Sequence, residues 1–380
     1  MPELISTVAC NLDNNILAAC LPLMEAARVE AIEWSFDALY AVENVPAWFE
    51  ELLTAFSQEN RLIGHGVFFS LFSGRWLPEQ QQWLDHLKTV SRHYRFDHVT
   101  EHFGFMTGKD FHHGAPLNIP YTPVTLNIGR DRLKRMQDAC ECPVGLENLA
   151  FSYSLEEVKK HGDFLNELLE PVNGFIILDL HNLYCQAHNF DLSFDALKAL
   201  YPLHRVREIH ISGGSWHESE AAPGKTVRRD THDDAVPEVV FNYLDKAIDL
   251  CPSLKYVVLE QLGTGLATEE SRSAFGNDFL RMDQLLKNKN TNTAPLNTFL
   301  PQALRIPAQA REDETLYRQQ LELSQILETA ASFEATMKAL QASSLAHSAW
   351  QIENWDPAMI ETAAKIAQKW KRQTPDRRIT

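Results

Sequence analysis

Between residues 5 and 262, eight short runs of β-forming residues alternate with longer stretches in which apolar residues recur every three or four positions. The runs are ISTVAC (5–10), AIEWSF (31–36), IGHGVFFS (63–70), HVTEHFGF (98–105), PVGLENL (143–149), GFIILDL (174–180), VREIHIS (206–212) and YVVLEQL (256–262). Several are apolar without clean alternation, which suits parallel strands covered on both faces. Eight βα units of this size predict an α/β fold, a (β/α)8 TIM barrel. An open doubly wound sheet is the competing architecture, but no strand candidate is followed by G-x-G-x-x-G. Ser154 with Glu157 three residues later predicts the start of a capped helix.

The pattern changes near residue 288. KNKNTNTAPLNTFLPQALRIPAQARED is rich in polar residues and proline and reads as a linker. Beyond it lie two helical stretches, the second with Asp356 as a cap and Pro357 at its first position. The expected organisation is a barrel over 1–287, a linker over 288–312 and a helical C-terminal appendage over 313–380, serving as a lid or a docking surface.

The ends of the strand candidates carry polar residues in a repeating arrangement. His65, Glu101 and His102, Glu147 and Asn148, Asp179 and Asn182, His210, and Glu260 close runs three to eight, and Asp230 and His232 follow run seven in RRDTHDD. In a (β/α)8 barrel these ends converge on one mouth. Four imidazoles (His65, His102, His210, His232) and four carboxylates (Glu147, Asp179, Asp230, Glu260) exceed what one metal ion needs, so the set suits two or three ions held close together. Without a cation the carboxylates would repel one another. The absence of thiolates and the number of histidines point to iron, manganese or zinc. Any one of these positions alone would be read as a core residue; the repetition over six strands carries the assignment. His112, His113, His161, His204 and His217 fall in helical or loop contexts and are not read as ligands.

Composition narrows the function. Fifty-one acids against 35 bases give a formal charge of −16, which argues against broad binding of nucleic acid. No apolar run approaches the roughly 20 residues that span a bilayer, and the first thirty residues lack the basic start of a secretory signal. Six scattered cysteines show no disulfide or zinc-clip spacing. The expectation is a cytoplasmic protein with reduced thiols, bound to neither membrane nor nucleic acid.

The motifs IGHGVFFSLFSG, VTEHFGF, LNIPYTP, VGLENLAFSYS, GFIILDLHNLYCQAHNFD, VREIHISGG, DTHDDAVPEVVF and VVLEQLG, taken together over roughly residues 5 to 285, resemble the multinuclear non-haem iron-dependent oxidative enzymes. That family includes the iron subunit that builds the oxazolone–thioamide groups of methanobactin. The resemblance implies a TIM barrel related to xylose isomerase and two or three irons in a mixed-valence Fe2+/Fe3+ state, with O2 as co-substrate. It implies the ligands His65, His102, Glu147, Asp179, His210, Asp230, His232 and Glu260, and catalytic or supporting roles for His65, Glu101, Asn148, Asn182 and His188. The implied substrate is a ribosomally made precursor peptide, modified at cysteine or another residue near its C-terminus, often delivered by a leader-binding partner protein. Basic stretches at 130–135 and 227–229 flank the mouth in sequence and would suit such a peptide. The chain departs from the family pattern at His181, where asparagine is usual, and at Asp234, where histidine is common. Two other classes compete: a divalent-metal phosphodiesterase, endonuclease or sugar isomerase on the same barrel, and a metal-dependent scaffold without activity.

Overall fold

Each of the eight β-forming runs folds as a strand: β1 Ile5–Ala9, β2 Ala31–Trp34, β3 Leu62–Gly66, β4 Val99–His102, β5 Val144–Glu147, β6 Phe175–Asp179, β7 Val206–Ile211 and β8 Tyr256–Leu259. The structure, a computed structural model, describes residues 4–38, 45–106, 116–289, 294–303 and 305–371. The strands pair in chain order and β8 returns to β1, closing a parallel barrel. Around it lie α1 Asn14–Glu25, α2 Ala47–Gln58, α3 Pro78–His93, α4 Pro123–Cys140, α5 Leu155–Leu169, α6 Leu180–Asn189, α7 Phe194–Lys198, α8 Glu238–Leu250 and α9 Glu269–Lys289. The architecture is the expected (β/α)8 barrel, followed by C-terminal helices. Among the described residues no helix is long and apolar enough to cross a membrane.

Most strands stop before their β-forming runs do, and for β3 the reason is local. The Asp37 carboxylate accepts from the backbone N–H of Val67 and Phe68, both at 2.9 Å, and turns the chain away from the sheet after Gly66. Ser154 caps α5 as its spacing predicts, its Oγ accepting from Glu157 N at 3.3 Å.

Inside the barrel, alternate residues of each strand point to the axis. Ile5, Ala31, Ile63 and Tyr256 form an apolar cluster of their own at the lower end. Charged groups occupy the levels above it. The register sets His102 opposite Glu147 and Asp179 opposite His210. The pairing of β6 with β7 slips between Ile176 and Ile177, giving β7 one extra residue. The bulge lies just below the level at which Glu208 and His210 enter the interior, where both are fully buried.

The C-terminal part is tied to the barrel along its length. Leu296 N donates to Pro252 O at 3.1 Å below the barrel, and Phe299 packs against Phe175 there with ring centroids 5.6 Å apart. The basic stretch 130–135 was expected to flank the mouth, but it lies in α4 and holds this segment instead. Arg132 Nη2 donates to Arg311 O at 2.8 Å and Arg135 Nη2 to Pro307 O at 2.8 Å. At the mouth Asp313 N donates to Gly74 O at 2.7 Å. Then come α10 Glu314–Thr329, α11 Phe333–Gln341 and α12 Pro357–Lys371. Gln320 of α10 brackets the loop after β3, donating to Phe72 O (2.7 Å) and accepting from Gly74 N (2.9 Å). A Cβ at Gly74 would lie 2.5 Å from Tyr317 N, so only glycine allows this approach.

Candidate metal centre

His65 of β3 and His102 of β4 converge on Glu147 of β5, each Nε2 lying 3.5 Å from Glu147 Oε2. Their other nitrogens are already engaged: His65 Nδ1 lies 2.8 Å from Thr100 Oγ1, and His102 Nδ1 lies 3.1 Å from Gly66 O. Each ring therefore presents Nε2 to the barrel mouth. Glu147, Asp179 and His210 make a second trio, and Asp179, His232 and Glu260 a third, with candidate ligand atoms within 4.8 Å of one another. Glu147 is shared by the first two trios and Asp179 by the last two. The three groups thus form a row joined by carboxylates. Asp230 Oδ1 closes the far end, 2.9 Å from His232 Nε2.

The unpartnered atoms decide what this row suits. Glu147 Oε2 and Asp179 Oδ2 are buried and make no hydrogen bond among the described residues, while His210 Nδ1 and His232 Nε2 face only carboxylates, Glu260 Oε2 at 3.3 Å and Asp230 Oδ1 at 2.9 Å. One such oxygen costs about 1–3 kcal/mol, and two of them beside imidazoles that face further carboxylates suit a bound cation. Oxygen and imidazole donors without thiolate fit iron, manganese or zinc.

The electrostatics agree. Burial, reinforced by Asp230 and Glu147, pushes the Asp179 carboxyl well above the usual range, and burial also raises that of Glu147. Burial alone would lower His210 and His232, yet adjoining carboxylates lift both well above the usual imidazole range. A bound cation would relieve the crowded carboxylates and leave the imidazoles neutral as donors.

A second layer holds the row in place. Asp179 ends β6 and caps α6, its Oδ1 accepting from Asn182 N at 2.5 Å, which leaves Oδ2 for the cluster. Asn182 Nδ2 donates to Glu147 Oε1 at 3.1 Å and to Asn148 O at 2.8 Å, and Asn148 Oδ1 accepts from Asp179 N at 2.7 Å. His210 Nε2 lies 3.1 Å from Glu208 Oε1 and 3.2 Å from Glu33 Oε2, so Nδ1 faces the row. Glu208 Oε2 in turn lies 2.6 Å from His98 Nε2, and His98 Nδ1 lies 3.1 Å from Asp97 Oδ2. Burial pushes the Glu33 carboxyl up, against the pull of His210. At the other end His181 Nδ1 lies 3.0 Å from Asp230 Oδ1, and its Nε2 accepts from Arg228 Nε at 3.0 Å. His232 adopts φ +49°, a left-handed conformation uncommon for a residue with a side chain, and its carbonyl accepts from Leu262 N at 2.7 Å.

Above the row opens a cavity of about 320 Å³. His65, His102, Glu147, Asp230, His232 and Glu260 line its floor, while Phe68, Met106, Leu149, Phe151 and Val227 give it apolar walls. Met359, Thr362, Ile366 and Lys369 of α12 complete the enclosure.

The family described as RiPP precursor modification enzyme MbnB/TglH/ChrH matches residues 30–262. The chain belongs to this family. RiPPs are ribosomally made, post-translationally modified peptides, so the MbnB/TglH/ChrH family is one of peptide-modifying enzymes. Among its relatives is a UPF0276 protein of Shewanella loihica, 26% identical over 188 residues, covering 50% of this chain and 64% of that protein. A UPF0276 protein of Alcanivorax borkumensis is 27% identical over 237 residues, covering 57% of this chain and 76% of that one. The chain thus spans just under two thirds of the Shewanella relative. Among solved structures, endonuclease IV from Thermus thermophilus aligns with a TM-score of 0.48 at 13% identity, over 75% of this chain and 99% of that one. A xylose isomerase domain protein from Planctomyces limnophilus aligns at 0.47 and 15% identity, over 77% and 100%.

The fold brings all eight sequence-derived ligand candidates of this MbnB/TglH/ChrH member to one mouth. Asn148 and Asn182 sit directly behind them. Glu101 lies one step further out, buried against the backbone N–H of His102 (2.9 Å) and Phe69 (3.3 Å). A Cβ at Gly66 would come 2.4 Å from Glu101 Oε2, which explains the glycine beside His65. His188 is not brought to the site. It is exposed, with Nε2 3.0 Å from Thr226 O and its ring against Trp216, because α6 turns Asn182 and Asn189 to the cavity and His188 outward. His112 and His113 lie outside the described residues. His161 accepts from Leu149 N at 3.3 Å within the barrel wall. Sequence reasoning missed Glu33, Glu208 and His98. A signal existed for Glu208: it stands two residues before His210, hence on the same face of one strand.

Proposed function

We propose that this chain is an iron- and O2-dependent oxidative enzyme that modifies a ribosomally made precursor peptide, at cysteine or another residue near the peptide's C-terminus. The observation that carries the reading is the row of buried donors at the mouth of a barrel in the MbnB/TglH/ChrH family: Glu147 Oε2 and Asp179 Oδ2 have no hydrogen-bond partner among the described residues, and His210 Nδ1 and His232 Nε2 face only carboxylates. Two or three mixed-valence irons would be held by His65, His102, Glu147, Asp179, His210, Asp230, His232 and Glu260, and Glu147 and Asp179 each belong to two of the candidate ligand groups. When bound, iron supplies one-electron chemistry with O2 and lowers the pKa of a thiol or carboxylate that it binds.

The chain's own residues do the rest. Asn182 and Asn148 fix the two shared carboxylates, Glu208 fixes the ring of His210, and His181 fixes Asp230. The apolar walls exclude water from the reacting group. A leader-binding partner would present the peptide to the cavity.

Metal analysis of protein purified without chelators or oxygen tests the reading, with EPR and Mössbauer spectra on the same sample. Two to three irons per chain and a spin-coupled mixed-valence signal that responds to O2 are expected. Stoichiometric zinc, manganese or magnesium in an active preparation, with little iron, would replace oxidation by hydrolysis or isomerisation.

A further inference from the structure

We propose that α12 is the specificity wall of the metal cavity, and that Ile366 selects a peptide with an apolar side chain next to the residue that reacts. The inference deepens the reading above and rests on it, because it takes a peptide as substrate.

Met359, Thr362, Ile366 and Lys369 line the same cavity as the candidate ligands. Their spacing of three, four and three puts them on one face of α12. The helix is held over the mouth by contacts to two barrel loops. Asp356 N donates to Tyr153 O at 2.8 Å, and Trp355 stacks on Tyr153 with centroids 3.7 Å apart, fixing it to the loop after β5. Lys225 donates to Asp356 at 2.8 Å, and Glu361 accepts from Ser219 Oγ at 2.6 Å and Ala221 N at 3.1 Å, fixing it to the loop after β7. That second loop also carries Asp230 and His232. The wall is therefore positioned against the metal row rather than merely near it.

Two further observations give the wall its role. The family match ends at residue 262, whereas α12 begins at Pro357, so the wall comes from sequence outside the matched part of the barrel. Chemistry common to the family resides in the barrel; selection particular to this chain can reside in α12. The cavity that α12 helps to line mixes apolar groups, Phe68, Leu149, Phe151 and Val227, with the basic Arg228 and Arg229. A cavity of about 320 Å³ takes a short peptide segment, not a folded domain. An apolar side chain beside the reacting residue would rest against Ile366 within this cavity.

The test uses the full chain loaded with iron without oxygen, and the peptides acetyl-Xaa-Cys-Xaa-amide with Xaa as Leu, Ser or Asp, followed by titration calorimetry. Wild type should bind the Leu peptide about tenfold more tightly than the Ser or Asp peptide. Ile366, only partly buried, tolerates replacement. Ile366→Ser should bring the ratio to within about twofold, and Ile366→Trp, which fills the space, should weaken the Leu peptide about tenfold. Iron content should stay at the wild-type value in both. A ratio unchanged in both variants, or no preference in wild type, overturns the wall while leaving the peptide reading intact. Iron-loaded wild type that binds none of the peptides overturns the peptide reading and this inference with it.

Discussion

Arg228 Nε donates to His181 Nε2 at 3.0 Å, and this contact fixes the proton on a buried histidine behind the metal row. A guanidinium nitrogen can only donate, so His181 Nε2 accepts and Nδ1 carries the hydrogen. That hydrogen points to Asp230 Oδ1, 3.0 Å away. Arg228 is itself packed under Trp216 and Tyr184, with its guanidinium carbon 5.0 and 5.4 Å from their ring centroids. One carboxylate of the row is thus oriented by a chain that starts on the hairpin Trp216–Glu218 and Thr226–Arg228.

His181→Phe should free Asp230 and lower metal affinity by about tenfold or more, the usual effect of losing such a support. His181→Gln, able to keep one of the two contacts, should fall between. Titration of the apo protein with Fe2+ or Co2+ under nitrogen reads the effect directly. Equal affinity in all three proteins would mean that Asp230 is held by His232 alone.

Glu208 joins His210 to His98 in the barrel interior, and all three are fully buried. Burial raises its carboxyl, but His98 and His210 outweigh that and hold it well below the usual range. Glu208→Ala leaves two buried imidazoles facing a void. Breaking one partner of a buried pair costs about 3–5 kcal/mol. Urea unfolding should show a loss of that size together with reduced metal retention. A loss below about 1 kcal/mol would show that Glu33 takes over the contact.

Much of the barrel was legible because its signals are local. A run such as GFIILDL, bounded by turn residues, is a buried parallel strand wherever it stands, and each strand end delivers its polar residue to the same mouth. His188 stands apart from the site because of helix phase: α6 starts at Leu180, so Asn182 and Asn189 share a face that His188 leaves. The stretch at 130–135 stands apart for another reason. Arg132 is fully buried, pinned by Asp131 at 2.6 Å, and its role depends on a segment 170 to 180 residues away in sequence. No local pattern encodes that contact. The position of α12 over the cavity is equally non-local, since it rests on Tyr153 and on the hairpin after β7.

Glu361 makes the attachment of α12 sensitive to acid. Burial pulls its carboxyl up, but Lys365, Ser219 and the Ala221 N–H outweigh this and hold it down at about 2, against an ordinary 4.5. A depressed folded-state value stabilises above the unfolded value, and that stability drains away as pH falls from about 4.5 towards 2. Glu361→Gln should therefore lose about 2 kcal/mol at pH 7, less than the full shift because water screens part of the ion pairing. The gap to wild type should shrink steadily below pH 4.5. Thermal melts of both proteins from pH 7 to 3 check this; a constant gap would place the contribution in packing instead.

Asp179 separates the folding role of a carboxylate from its metal role within one side chain. Its Oδ1 caps α6 through Asn182 N, while its buried Oδ2 has no partner among the described residues. Asp179→Asn keeps an oxygen for the cap and removes the charge offered to the cluster. Without metal the variant should be as stable as wild type or more so, because a buried carboxylate beside Glu147 and Asp230 is gone. With iron at about 1,000 times its dissociation constant, wild type should gain about 4 kcal/mol, and the variant should gain far less. Differential scanning with and without chelator distinguishes the cases. Equal gains in both proteins would remove Asp179 from the ligand set and leave its cap as its whole function.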